Sequence, residues 1–267
     1  MTVLQPYRHG YYLWKYLPSA AAAVIFCAMF AIATIALTWK LCKTRTWMTI
    51  PFAIGGYMEF IGYACRAAAH NQTSRLMPFI MQNNNIFLAP VFFAASIYMV
   101  LGRVIRATQG EEHSLVRPGR LTTLFVTGDV LSLAIQGSGA GLMVTGEYGK
   151  LSQALVLAGL VFQIVLFATF CAVAVRFQAR MSRDPRVEWV SAGTRWEEVL
   201  YMLYAVSALM MLRSVFRVIE FILGEDGYLL GIEWPLYVFD TLPMFLVMII
   251  FWQWFPSTVK ANGSETK

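Results

Sequence analysis

Apolar residues in this chain do not alternate with polar ones. They run in long blocks separated by short polar stretches rich in arginine and lysine. Seven blocks reach spanning length, at about 17–38, 47–66, 79–101, 121–144, 152–175, 199–222 and 235–255. A helix rises about 1.5 Å per residue, so about 20 residues cross a hydrocarbon core about 30 Å thick. The blocks lack the polar stripe that a helix of a soluble bundle turns to water. Pro51, Pro90 and Pro243 lie inside them, and membrane helices tolerate proline as a kink. The pattern predicts an all-α polytopic membrane protein. Its seven-transmembrane-helix bundle occupies 17–255, with an outer segment at 1–16 and a tail at 256–267.

Composition supports this reading. Of 267 residues, 58% are hydrophobic and 13% are charged, whereas a soluble domain carries about 25% charged residues. Such a chain cannot cover a water-facing surface of ordinary size. The four cysteines, Cys27, Cys42, Cys65 and Cys171, have no metal-ligand spacing and read as small packing residues. The N-terminus has no short apolar region followed by a small-residue cleavage site, so the first block is expected to be a retained helix.

Orientation follows from the basic residues between blocks. Stretches 39–46, 102–120 and 176–198, with the tail, hold fourteen of the 21, and the opposite side holds five. Cytosolic loops collect lysine and arginine, which predicts an N-terminus outside and a cytosolic C-terminus. That bias also accounts for the basic inner loops without a regulatory contact to anionic lipid. The Asn71-Gln72-Thr73 sequon falls on the predicted outer side, making Asn71 a glycosylation candidate, and Asn262 falls in the predicted cytosolic tail.

The candidate chemistry is the charge inside the blocks. A charge at the centre of a membrane helix costs about 2.5–3.5 kcal/mol on insertion scales, so it must pair, snorkel or face water. In the sixth block Arg213, Arg217 and Glu220 are spaced i, i+4, i+7 and share a face. Glu59, Tyr63 and Arg66 repeat that construction in the second block. Asp240 lies in the outer part of the seventh, and Gln82, Asn83, Asn84 and Asn85 in the outer half of the third. Their depths agree, as if they lined one outward-open polar cavity. In the fourth block Asp129, Ser132 and Gln136 share a face, with Asp129 in the inner half, and Gln163 of the fifth can join them. Gly137, Gly139 and Gly141 offer close helix approach. Two readings stand side by side: these residues meet a substrate, or pairs such as Glu59–Arg213 and Asp240–Arg217 lock the bundle.

The stretches TWMTIPFAIGGYMEFIGYACR, LAPVFFAASIYMVLGRVIR, LFVTGDVLSLAIQGSGAGL, LRSVFRVIEF and YVFDTLPM together resemble the fungal RTA-like family, also called the lipid-translocating exporter family. The resemblance covers nearly the whole chain. It implies that the family's polar positions fall on Glu59, Gly128, Asp129, Gln136, Arg213, Arg217, Glu220 and Asp240. Relatives often carry a histidine at the end of the first span and another before the proline after the last; this chain has Thr38-Trp39 and Phe255-Pro256 there. The resemblance also implies plasma or internal membranes and the handling of amphiphiles: sphingoid-base export, resistance to toxic sterol-like amines and protoporphyrin movement.

Two functions remain from the sequence. One is a translocase that takes an amphiphile's head group into the polar cavity while its tail stays in lipid. Glu59 and Asp240 would receive an amine, and Arg213 and Arg217 a phosphate or carboxylate. No Gly-rich phosphate loop marks an ATP motor, so transport would run downhill, with a partner, or with protons through Glu59 or Asp129. The other is a seven-helix lipid sensor signalling through its basic inner loops. The last block has no lysine for a retinal Schiff base. His9, His70 and His113 lie between blocks, so an enzyme, a metal site or another cofactor is not expected. Membrane lipids or other amphiphiles are the expected partners, and nucleic acid is not.

Overall fold

Each apolar block folds as one helix in the computed structural model of the chain, which describes residue 14 and residues 18–70, 73, 75–108, 118–145, 149–183, 196–223 and 233–255. The helices are α1 (Ala20–Thr44), α2 (Ile50–Ala69), α3 (Leu76–Ala107), α4 (Pro118–Thr145), α5 (Gly149–Met181), α6 (Trp196–Leu223) and α7 (Trp234–Gln253). Local signals set several ends. Ser19 caps α1, its Oγ accepting the Ala22 N–H at 3.4 Å. Arg45 ends the same helix in the left-handed region, at φ 52°. Pro51 and Pro235 stand in the first turns of α2 and α7, where a missing N–H costs nothing.

The helices outrun the apolar windows. α3 and α5 have 32 and 33 residues, roughly 48–50 Å at helical rise. Arg103, Arg106, Arg176 and Arg180, expected between spans, lie on these extensions, as Lys40 and Lys43 lie on the end of α1. Arginine and lysine are good helix formers, and Lys43, Arg106 and Arg180 sit in last turns, where the helix dipole favours a cation.

Five helices, α1, α3, α5, α6 and α7, are long and apolar enough to cross a membrane. α2 and α4 have the length but are less apolar, and Glu59 and Arg66 of α2 and Asp129, Ser132 and Gln136 of α4 turn inward. The buried face of α2 carries Gly55, Gly56, Glu59, Gly62, Tyr63 and Arg66. Helices adjacent in sequence pack side by side, α7 returns to α1, and α3, the most buried of the spanning helices, also touches α6. Aromatic packing fills the core, with Phe52 stacked on Phe251 at 3.9 Å between ring centroids and tilted against Phe93 at 4.5 Å.

Of the three glycines expected to admit close approach, Gly139 does so. A Cβ there would lie 2.8 Å from the Ser152 carbonyl oxygen of α5. Gly137 and Gly141 face open space instead. The other half of the α4–α5 contact is Gly159, where a Cβ would sit 2.6 Å from the Gln136 side chain. These two glycines set α4 against α5 and so position Ser132 and Gln136.

Candidate functional site

The charges of α6 and α7 meet because two helices are locally irregular. Pro90 has no N–H to offer the Ile86 carbonyl one turn earlier in α3. That carbonyl instead accepts a 2.9 Å hydrogen bond from Arg213 Nη2. In α7, residues Tyr237–Thr241 form a π-helical turn, a geometry that concentrates at functional positions. It carries Asp240 and Thr241 inward, where both are buried.

Asp240 then bridges two arginines. Its Oδ1 lies 2.6 Å from Arg213 Nε, and both of its oxygens accept from Arg217. Arg217 also donates to Glu220 Oε2 at 3.0 Å along α6 and stands over the Phe87 ring at 4.8 Å. Arg213, Arg217, Asp240 and Glu220 sum to zero charge, and all four are buried. Two cations, each shared with fixed acceptors, form a lock of the kind that is costly to break from one side.

Glu59 stands outside that balance. It is 1% exposed, and neither carboxylate oxygen has a hydrogen-bond partner among the described residues. Arg213, Asp240 and Arg217 lie within its electrostatic reach. The expected Glu59–Arg213 hydrogen-bonded pair is therefore absent, while Asp240–Arg217 is present. An ionised Glu59 gives this interior one negative charge that the arginines, already matched, do not cancel. Tyr63, one turn along α2, bonds to the Thr241 hydroxyl and ties α2 to the π turn.

Arg66, expected in one polar cavity with the other charges, does not contact Arg213, Arg217 or Asp240. Its Nη2 pairs with Glu233 at 2.7 Å, and its Nε donates to the Tyr237 hydroxyl at 3.1 Å. Glu233 also accepts the Ser19 N–H at the start of α1 and the Tyr237 O–H. The Trp14 ring lies 5.7 Å from the guanidinium. This latch joins α1, α2 and α7 at one end of the bundle. The sequence reading missed Glu233 because it lies between apolar blocks, where an acid attracts no notice. Its one signal is its place just ahead of Pro235.

The charges do not line an open cavity. Burial of Glu59, Arg66, Arg213, Arg217, Glu220 and Asp240 makes a closed interior. Asn84 is exposed on the bundle surface and does not join it, and Asn85 bonds back to its own helix at the Met81 carbonyl. Gln82 alone of that polar run is fully buried.

A second polar group lies across α3, α4 and α5. Tyr98 O–H donates to Asp129 Oδ2 at 2.9 Å. Ser132 donates to the Gly159 carbonyl at 2.7 Å, and Gln136 Nε2 donates to Ser132 Oγ and Gln163 Oε1. The expected Gln136–Gln163 meeting is present. Tyr98 was missed because a tyrosine in an apolar run reads as packing, although a buried hydroxyl needs a partner. His70 follows α2 and pairs with the Pro18 carbonyl at 2.7 Å. Asn71, Asn262, His9 and His113 lie outside the described residues.

The comparisons with known proteins follow the same lines. Residues 52–262 match the family model described as RTA1 like protein. Protein RTA1 of Saccharomyces cerevisiae is 34% identical over 93% of this chain and 86% of its own length. Protoporphyrin uptake protein 1 of the same yeast is 32% identical over 91% of each chain. Sphingoid long-chain base transporter RSB1 is 23% identical over 79% of this chain and 64% of its own. No solved structure matches. With most of its length inside the family model and a relative a third identical along nearly all of it, the chain belongs to the RTA1-like family and is a polytopic helical membrane protein.

Proposed function

We propose that this protein translocates single-chain amphiphiles with a cationic, amine-type head group, and that Glu59 receives the head. The observation that carries the reading is the charge balance. Of the five ionisable side chains gathered between α2, α6 and α7, four are spent on one another, and Glu59 alone of the five has no hydrogen-bond or ion-pair partner among the described residues. A buried carboxylate without a partner is expensive in a membrane, and such groups mark ligand or ion pathways. Arg213 and Arg217, matched by Asp240, Glu220 and the Ile86 carbonyl, have little left for a phosphate or carboxylate head. A relative named as a sphingoid long-chain base transporter supports the same substrate class.

In this reading the Arg66–Glu233 latch is the outer gate, because Glu233 is the most exposed member of the ion pairs among the described residues. With the N-terminus outside, as the basic inner ends suggest, the latch faces outward and the protein exports lipid or toxic amines from the plasma membrane. The lock of α6 and α7 holds the walls while the latch opens.

The test is flux of a labelled long-chain primary amine across liposomes containing only the purified protein. Wild type is expected to exceed protein-free liposomes, and Glu59→Gln to lose at least about tenfold of that excess, the loss of one charge-assisted contact of about 1.4 kcal/mol or more. Equal flux in wild-type and empty liposomes overturns transport and favours a lipid sensor. Equal flux in wild type and E59Q overturns the role of Glu59.

A further inference from the structure

The bundle contains a second buried acid that the amine site does not use. Asp129, on the inward face of α4, is 1% exposed and takes part in no ion pair among the described residues. Its Oδ2 accepts the Tyr98 O–H at 2.9 Å, while its Oδ1 is buried without a hydrogen-bond partner. The surroundings are aromatic. Phe125 and Phe170 pack on the Tyr98 ring at 5.3 and 4.5 Å, and Phe167 lies at 6.3 Å. The titratable groups nearby are Tyr98 of α3, Cys171 of α5 beside it, and Tyr204 of α6 beside Cys171. None is a cation.

This environment differs in kind from the outer cluster. There, burial of Arg213, Arg217, Glu220 and Asp240 is offset by opposite charge; here nothing offsets it except one hydroxyl. An ionised carboxylate in such a place is costly, and a proton removes the cost. Tyr98 occupies Oδ2, which leaves Oδ1 as the atom that takes the proton. The Tyr98 O–H bond to Oδ2 persists whether or not Oδ1 is protonated, so the carboxyl keeps one orientation through a cycle of loading and release. Asp129 lies about 17 Å along α4 from Pro118, well short of the opposite end of the bundle, where the Arg66 latch closes.

We infer that Asp129 is a proton-binding site, with Tyr98 as its positioning residue, and that it couples transport to a proton gradient from the side opposite the latch. The step is a proton exchange only. A proton from water binds Oδ1 to give the neutral carboxyl, and the same proton leaves to water on release, with no other bond changed. This inference rests on the transport reading for its coupling, but not for the proton itself.

Two measurements test it. The purified protein is reconstituted in liposomes, and a quaternary-ammonium single-chain amphiphile, whose own charge does not titrate, is the probe. With one coupled proton, each pH unit of imposed gradient concentrates the probe on one side by up to about tenfold. Wild type is expected to accumulate it, and Asp129→Asn to reach equal concentrations at most. Wild-type equilibration without accumulation, or equal accumulation by D129N, overturns the coupling. Infrared spectroscopy of the same protein at neutral pH reads the proton directly and needs no probe. A protonated carboxyl C=O stretch is expected in wild type, absent in D129N and moved in frequency by Tyr98→Phe. Its absence from wild type overturns the inference. If no probe crosses in any liposome, the transport reading fails and the infrared band alone decides Asp129.

Discussion

The two polar interiors of this bundle show opposite ways to keep charge out of lipid. Between α2, α6 and α7, five ionisable side chains are brought together and four cancel in pairs. Between α3 and α4, one acid is set among phenylalanines with a tyrosine for company. In the first, the four that cancel are rigid because each of them needs the others. The second holds one group whose charge can change with little rearrangement. A bundle that must hold its walls while moving something has a use for both, and α3 touches each: its Ile86 carbonyl binds Arg213 and its Tyr98 binds Asp129.

The comparison breaks most visibly at Asp240. Removing it strands two buried arginines, and taking one partner from a buried pair costs about 3–5 kcal/mol. Asp240→Ala is expected to unfold far earlier than wild type in a detergent melt, whereas Glu59→Gln, which strands nothing, is expected to stay within about 1 kcal/mol. Similar losses in both would put Glu59 inside the lock.

A smaller effect sharpens the role of Pro90. In Pro90→Ala the restored N–H reclaims the Ile86 carbonyl, and Arg213 loses one acceptor. The cost of Arg213→Lys is then expected to fall by about 1 kcal/mol in the Pro90→Ala background, measured as the coupling in a double-mutant cycle of unfolding free energies. Additive changes would mean that the proline and the arginine act separately.

The fold was legible in the apolar blocks, because seven stretches of spanning length leave little else for the chain to do. Their ends were not. Arg103, Arg106, Arg176 and Arg180 look like loop residues by charge, yet they continue helices that extend past the apolar core. The lock was legible for the same reason as the spans: Arg213, Arg217, Glu220 and Asp240 stand out against apolar neighbours. Which partner each takes was not, since that depends on helix rotation and on a π turn that periodicity at 3.6 residues cannot show. Asn84 and Arg66 are the cost of that ambiguity. Asn84 stands about 200° around α3 from the buried Gln82, on the outer face, and Arg66 reached toward an acid that lies outside the apolar blocks.

The central claim is that Glu59 is kept unpaired for a cationic head group. A ligand-induced shift in melting temperature tests it most directly, with a long-chain amine and a long-chain carboxylate of equal length added to purified protein. Only ligands that bind the folded state raise its apparent stability, by about 2.7 kcal/mol at a hundredfold excess over Kd. The account predicts a rise with the amine in wild type, little with the carboxylate, and none with the amine in a well-folded Glu59→Gln. An equal rise in Glu59→Gln, or a larger response to the carboxylate, would contradict it.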